Sequence, residues 1–336
     1  EQVLTGPMIQ SGTSRVSLTV IQERARKKKI KVSLRAWLLL LPSLVFLGIF
    51  TVYPIIQSLI SSFYKDDLTT IQPVFAGLAN YQSLMSDPVF WESFRNNLLI
   101  AIVTVPASIL LGVAMASFSN ALGKLGKTVT RIGFIYPTFI PLVAAANIWM
   151  FIYTPIYGLL GYINSNWRLL ADGKTAIWAI IVMLIWKQAG YIMLFYVAGL
   201  HGISRELFEA AKIDGAGHFR IYFQIVMPLF KAGLATIGLF KLVGNWNDWF
   251  TAKLYIENVN LIPLQTMLTR IMDNIEFIKN NTANLSEETI KQMLKDLPTE
   301  SARMAITIIT VAPVLFAYPF FQRYFISGLT IGSVKG

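Results

Sequence analysis

The sequence predicts an all-α, polytopic membrane protein with six membrane-crossing helices, and three observations carry that expectation. Of its 336 residues, 54% are hydrophobic and only 14% charged, with a mean hydropathy of +0.55, far above what a water-soluble domain of this length carries. Six stretches are long and apolar enough to cross a hydrocarbon core of roughly 30 Å, which takes about 20 residues of helix. The segments joining those stretches divide the basic residues unequally, as retention of Lys and Arg on the cytoplasmic side requires.

Residues 1–35 form a basic arm in which Arg24, Arg26, Lys27, Lys28, Lys29, Lys31 and Arg35 crowd ahead of the first apolar run. A cluster there acts as a retention signal resting on anionic lipid headgroups, and this accounts for the arm without a nucleic-acid partner despite a net charge of +11. A cleaved signal peptide is not expected, because the apolar run is too long and begins too late. The six spans are placed at about residues 36–63, 97–118, 132–153, 175–198, 225–250 and 302–325. Prolines or glycines interrupt the fifth and sixth, and neighbouring helices can accommodate both. The membrane domain is therefore drawn from 36 to 326, with 327–336 as a cytoplasmic tail. About 17 Lys and Arg fall on the side of the arm, the 123–131 loop, the loop after span four and the C-terminus, and about ten on the other. Both termini are accordingly placed in the cytoplasm of a bacterial or archaeal plasma (inner) membrane, in agreement with an even number of spans.

Composition also narrows the chemistry. The chain has no cysteine and two histidines, so thiolate chemistry is absent and a histidine-rich metal centre is not expected. Gly126-Lys127-Thr128 ends like a phosphate-binding loop, but the required first glycine falls at Ala121 and no strand precedes it to aim backbone amides at phosphate. No zinc-protease helix, nucleophile elbow or dinucleotide fingerprint occurs, so no catalytic residues, metal or cofactor are assigned.

The loop at 199–228 is the most informative segment. Ser204 is placed to cap a short helix, Glu206 and Glu209 lie towards its positive end, and Gly215 supplies a left-handed cap that closes it. Leu207, Phe208 and Ala211 give that helix an apolar stripe, which on a cytoplasmic loop implies a partner surface. Glu209-Ala210-Ala211 followed by Asp214-Gly215-Ala216, then Ile225 and Pro228, resembles the EAA loop of binding-protein-dependent permeases of ATP-binding-cassette importers, in their carbohydrate branch.

That resemblance implies that Glu206, Leu207, Phe208, Glu209, Ala210, Ala211, Asp214 and Gly215 form a coupling helix seated on a separate cytoplasmic ATPase subunit. It implies two such ATPase subunits, a second permease subunit and an extracytoplasmic solute-binding protein as partners, with alternating access driven by ATP hydrolysed elsewhere. Tyr53-Pro54, Asn80-Tyr81 and the run from Tyr136-Pro137 to Pro141 are similar to the sugar and glycerol-phosphate permeases, whereas the Gly244 to Trp249 segment and the Gly328 to Gly332 tail look like the partner permease type. Ala232 stands where many relatives carry a second proline. Which half of a permease pair the chain represents stays open.

Ionisable residues at membrane depth are costly, so Lys187 in span four and Lys241 in span five are candidate solute-path residues, the alternative being pairing within the bundle or with a partner subunit. Gln188, Asn245, Trp246 and Asn247 join them, since amides suit sugar hydroxyls and an indole suits a sugar C–H face; the competing reading of this run is an interfacial aromatic belt. The external segment 252–301 is too polar to span beyond Asp273, and Ser286 with Glu287 and Glu288 opens a short helix that runs to Lys295 before Pro298. It is either a docking surface for the binding protein or a solvated connector. The function class that competes with an importer permease is an ion-coupled secondary transporter, which needs carboxylates near broken helices at the midplane.

Overall fold

The structure is a computed structural model, and it describes residues 36–65, 73–164, 166–173, 175–201, 205–256, 261–281, 285–295 and 297–333. The basic arm and Ser204 lie outside the described residues, as do the side chains of the C-terminal tail. The chain divides into two units, residues 1–61 and 62–336. The described part of the first is one helix, α1 (Ala36–Ser61), whose apolar side chains, including Leu39, Phe46 and Phe50, are exposed. Within α1 a π-turn spans Gly48–Val52, closed by the Tyr53 N–H on the Gly48 carbonyl. Pro54 lacks an N–H and would crowd a regular α-turn; the wider turn before it lets the helix continue past the Tyr53-Pro54 pair to Ser61.

The second unit opens with a small hairpin, β1 (Tyr64–Lys65) and β2 (Val74–Phe75), paired antiparallel, followed by α2 (Ala79–Met85). Asn80 Nδ2 donates to the Ser62 carbonyl at 2.8 Å and to the Tyr64 carbonyl at 2.6 Å, and the Tyr81 hydroxyl meets Ser62 Oγ at 2.7 Å. The Asn80-Tyr81 pair thus ties the hairpin to α2. The second span, α3 (Pro88–Ala121), begins earlier than predicted because Asp87 caps it, accepting from the Val89 N–H at 2.9 Å, with Pro88 preset for the first turn.

The predicted third span is not one straight helix. It is a pair, α4 (Lys124–Phe139) and α5 (Leu142–Tyr153), bent by 103° between them, so the described residues hold five unbroken spans and a sixth only if the bent pair is counted as one. Ile140 precedes Pro141 and is driven out of the helical region to ψ 127, while Pro141 can donate no hydrogen bond back into α4. After α6 (Leu159–Ile163) comes α7 (Ala176–His201), the most enclosed span, on which Ile180, Met183, Ala189 and Ile192 are completely buried. The sequence then forms α8 (Arg205–Ile213), α9 (His218–Ile221), a π-turn over Tyr222–Val226 just before Pro228, and α10 (Met227–Trp246). On the far side of α10 lie α11 (Phe250–Tyr255), α12 (Leu264–Asn281) and α13 (Glu287–Lys295). The last span, α14 (Glu300–Ser333), continues through the segment predicted to be a tail, Pro313 and Pro319 included.

Close backbone approach holds the centre together. Buried small residues Ala101, Thr104, Ser108, Gly112, Ala116 and Ser119 run along α3, and small residues let membrane helices come close enough for dispersion to act. A Cβ on Gly112 would stand 2.7 Å from the Ala189 carbonyl and 3.0 Å from Ile192 of α7. On the other flank of α7, Gly190 lies against the α4 backbone, where an added Cβ would clash with the Phe134 carbonyl and meet Ile135 Cα at 3.0 Å. Farther out, α7 packs with α11, Ile256 and Ile262 through Ile177, Ile180, Ile181, Leu184, Ala252 and Tyr255.

Candidate solute path and coupling surface

Spans four and five, α7 and α10, meet along a polar seam at membrane depth. Gln188 Nε2 donates to Asn245 Oδ1 at 2.7 Å, and about one turn away Lys241 Nζ stands 4.5 Å from the centre of the Tyr191 ring. Asn245 is only 6% exposed. Once that amide bond is made, Asn245 Nδ2 and Gln188 Oε1 are both enclosed and have no partner among the described residues. Tyr191 was not selected from sequence; a tyrosine one turn from Gln188 on a helix already carrying polar residues was the available signal.

Lys187 is bound into the bend of the third span. Its Nζ donates to the Ile140 carbonyl at 2.5 Å and to the Pro137 carbonyl at 3.3 Å, and Thr138 Oγ1 donates back to the Lys187 carbonyl at 3.2 Å. The last carbonyls of a helix lack intrahelical donors and carry partial negative charge, so a cation there satisfies both needs.

Trp246 and Asn247 are not on this seam. Adjacent helical residues point about 100° apart, and with Asn245 turned to α7, the Trp246 indole, 3% exposed, points at α14, where Nε1 donates to the Thr310 carbonyl at 2.9 Å. Its ring packs edge-on against Phe94 at 5.8 Å, and its own carbonyl accepts from Asn97 Nδ2 at 3.2 Å. Trp246 is a packing residue of the bundle. Asn247 ends α10, exposed, with Oδ1 accepting from Gln265 Nε2 at 3.2 Å.

The loop after span four folds as a helix, a turn and a second helix. Glu206 lies in the first turn of α8, and Glu206, Glu209, Ala210 and Asp214 are exposed. Gly215 has φ +74, the Ala216 N–H reaches back to the Ala211 carbonyl at 2.9 Å and the Asp214 N–H to Ala210 at 3.0 Å, a six-to-one closure of the kind glycine permits. The side chains of Leu207 and Phe208 lie outside the described residues. Ala211 faces inward, 8% exposed, in a cluster with Ala116, Met193, Tyr196, Val197, Ile221 and Val226, so it seats α8 on its own molecule. Ile213, 85% exposed beside the cap, is the large apolar residue that α8 presents outward among its described side chains; it directly precedes Asp214-Gly215, a position that could have singled it out.

Beyond α10, Lys253 Nζ pairs with Asp273 Oδ2 at 2.5 Å, and α12 and α13 enclose a cleft of about 220 Å³ lined by Asn274, Phe277, Ile278, Met293 and Leu297. Among the described residues no group of His, Asp and Glu is placed to hold a metal ion.

Residues 108–331 match the family described as the binding-protein-dependent transport system inner membrane component. Among proteins of similar sequence, a probable ABC transporter permease protein of Pyrococcus horikoshii is 35% identical over 57% of this chain and 68% of its own length. The sulfoquinovosyl glycerol transport system permease protein of Agrobacterium fabrum is 33% identical over 62% of this chain and 70% of its own. In fold, the chain is similar to one from the crystal structure of a bacterial ABC transporter involved in import of the acidic polysaccharide alginate, with a TM-score of 0.65 at 19% identity over 89% of this chain and 99% of that one.

Proposed function

The chain belongs to the binding-protein-dependent transport system inner membrane components, and from that premise we propose that it is the permease subunit of an ATP-binding-cassette importer for a carbohydrate or a close derivative. It catalyses no covalent step. Its relatives include permease proteins for sulfoquinovosyl glycerol, for sn-glycerol-3-phosphate and for lactose, which supports a hydroxylated solute. Membership of that family sets aside the ion-coupled carrier.

The observation that carries the coupling half of the proposal is the α8 element. A nine-residue helix closed by a left-handed glycine is seated through Ala211 on Met193, Tyr196 and Val197 near the end of α7, and displays Glu206, Glu209, Ala210, Ile213 and Asp214 outward. Residues on that face contact a cytoplasmic ATPase subunit. Movement of the ATPase is passed through Ala211 to α7, which carries Gln188 and Tyr191 of the seam, so nucleotide-driven motion reaches the solute path through one helix. Two ATPase subunits and a second permease complete the assembly, with both termini of this chain cytoplasmic. The α12–α13 segment, on the opposite side, receives the loaded binding protein.

The test is reconstitution with candidate ATPase and permease subunits in lipid vesicles. ATPase activity that appears only in the complex, rises when a loaded binding protein is added outside, and is uncoupled from uptake by Gly215→Val supports the reading. Uptake by the chain alone under an ion gradient, or an assembly in which Gly215→Val leaves coupling intact, overturns it.

A further inference from the structure

The α7–α10 seam has a charge balance that a neutral sugar does not need. Lys241 is half-buried at membrane depth, and among the described residues its ammonium meets only the face of Tyr191: it has no hydrogen-bond acceptor and no carboxylate. Ammonium groups at such depth are retained where they bind something. One helical turn along the same face of α10, Asn245 Nδ2 is a second enclosed donor without an acceptor, on a residue more than nine-tenths buried. Across the seam, Gln188 Oε1 is an enclosed acceptor left open among the described residues. Lys187 cannot neutralise the site, since its charge has the same sign, and it donates instead to the Pro137 and Ile140 carbonyls.

From this pattern we infer that the solute carries an oxyanion, a carboxylate, sulfonate or phosphate group, received by Lys241 Nζ and Asn245 Nδ2 while a neighbouring hydroxyl donates to Gln188 Oε1. Two donors, one of them cationic, suit a group with several lone pairs and a full charge. The Tyr191 ring holds Lys241 extended until the anion arrives, and an aromatic face beside it suits the C–H side of a sugar ring. The inference rests on the permease reading and narrows it: a neutral oligosaccharide would leave Lys241 with no counter-charge.

The test uses the purified complex with its ATPase and permease partners, and measures equilibrium binding of paired probes: a uronate-containing disaccharide, a sulfonated and a phosphorylated monosaccharide, and the neutral parent of each. The expected result is that at least one acidic probe binds ten-fold or more tightly than its parent, with the difference shrinking as salt is raised. Lys241→Met abolishes that preference, and Lys241→Arg restores most of it. Equal binding of acidic and neutral members, a preference that survives Lys241→Met, or no binding of any acidic probe overturns the inference. Assembly with the ATPase and its stimulation by a binding protein are read separately, so a failed probe panel in an active complex defeats the solute class and leaves the importer reading standing.

Discussion

Replacing Gly190 by alanine tests whether the bent third span is held by direct backbone contact with α7. The added Cβ would meet the Phe134 carbonyl carbon at 2.9 Å and Ile135 Cα at 3.0 Å, and would clash with the Phe134 carbonyl oxygen. Those are backbone atoms and cannot rotate away, so α4 and α7 must separate by more than about 1 Å to regain ordinary van der Waals spacing. A shift of that size stretches the Lys187 to Pro137 and Thr138 to Lys187 hydrogen bonds, now 3.3 and 3.2 Å, beyond useful length. Overpacking of a tight core costs about 1–3 kcal/mol, and each of the two hydrogen bonds lost adds about 0.5–1.5 kcal/mol, so a loss of about 2–6 kcal/mol is expected. The control lies on α4 itself: nothing stands within 4 Å of a Cβ on Gly133, and Gly133→Ala should be neutral or stabilising by up to about 1 kcal/mol through helix propensity. Both variants are compared by SDS-induced unfolding in mixed micelles, following tryptophan fluorescence. A Gly190→Ala midpoint within about 0.5 kcal/mol of the parent would refute the argument, because it would mean that the two backbones do not touch.

Three other outcomes are expected. Lys187→Met should leave the Ile140 and Pro137 carbonyls without their cation and speed amide exchange around 140–145 by about ten-fold, corresponding to about 1.4 kcal/mol of local stability, whereas Lys187→Arg should recover part of it; unchanged exchange would show that the bend is held by its prolines alone. Asn80→Ala removes two hydrogen bonds that fasten the hairpin to α2, and should raise the rate of proteolytic nicking in the 62–78 region several-fold without altering expression. Trp246→Phe keeps the ring against Phe94 but loses the bond to Thr310, and should lower stability by about 1–2 kcal/mol while leaving solute binding intact; lost binding with unchanged stability would return Trp246 to the path.

The spans were legible because twenty consecutive apolar residues have few uses other than crossing a bilayer, and the short helix ending at Lys295 was legible from its serine and glutamates. The break in span three was not, because averaging hydropathy over a window treats Pro137 and Pro141 as two mildly apolar residues and is blind to their geometry. Helix α12 escaped notice for a related reason: its polar and apolar residues alternate at helical spacing on a segment too polar for a membrane, and only packing of Leu264 and Met267 on Phe90, Phe94 and Ile306 reveals its inner face. Within the candidate path, residue types were readable and directions were not. Asn245 and Trp246 are neighbours in sequence, yet one turns towards α7 and the other towards α14, a choice made by the phase of α10 against its neighbours. In the loop after span four the glycine cap was readable because its φ excludes most other residues, whereas the inward turn of Ala211 depends on where α7 ends.

Two glycines at the contacts of α7, Gly112 on α3 and Gly190 on α7 itself, bear on how a stroke can be delivered. A helix separated from its neighbours by layers of long side chains can creep, since rotamers yield a little at each contact and a push at one end is spent before it arrives. Around Gly112 and Gly190 there is no such cushion, because carbonyl groups of one helix lie where a methyl group of the other would have been. Sliding would require the helices to lift apart first, which makes the middle of α3, the inner half of α7 and the end of α4 stiff as one beam. A displacement applied at Ala211 is then carried along that beam with little slack, and the compliance that a moving transporter needs must lie at its ends: in the bend after Phe139, and in the π-turn over Tyr222–Val226 where the chain enters α10.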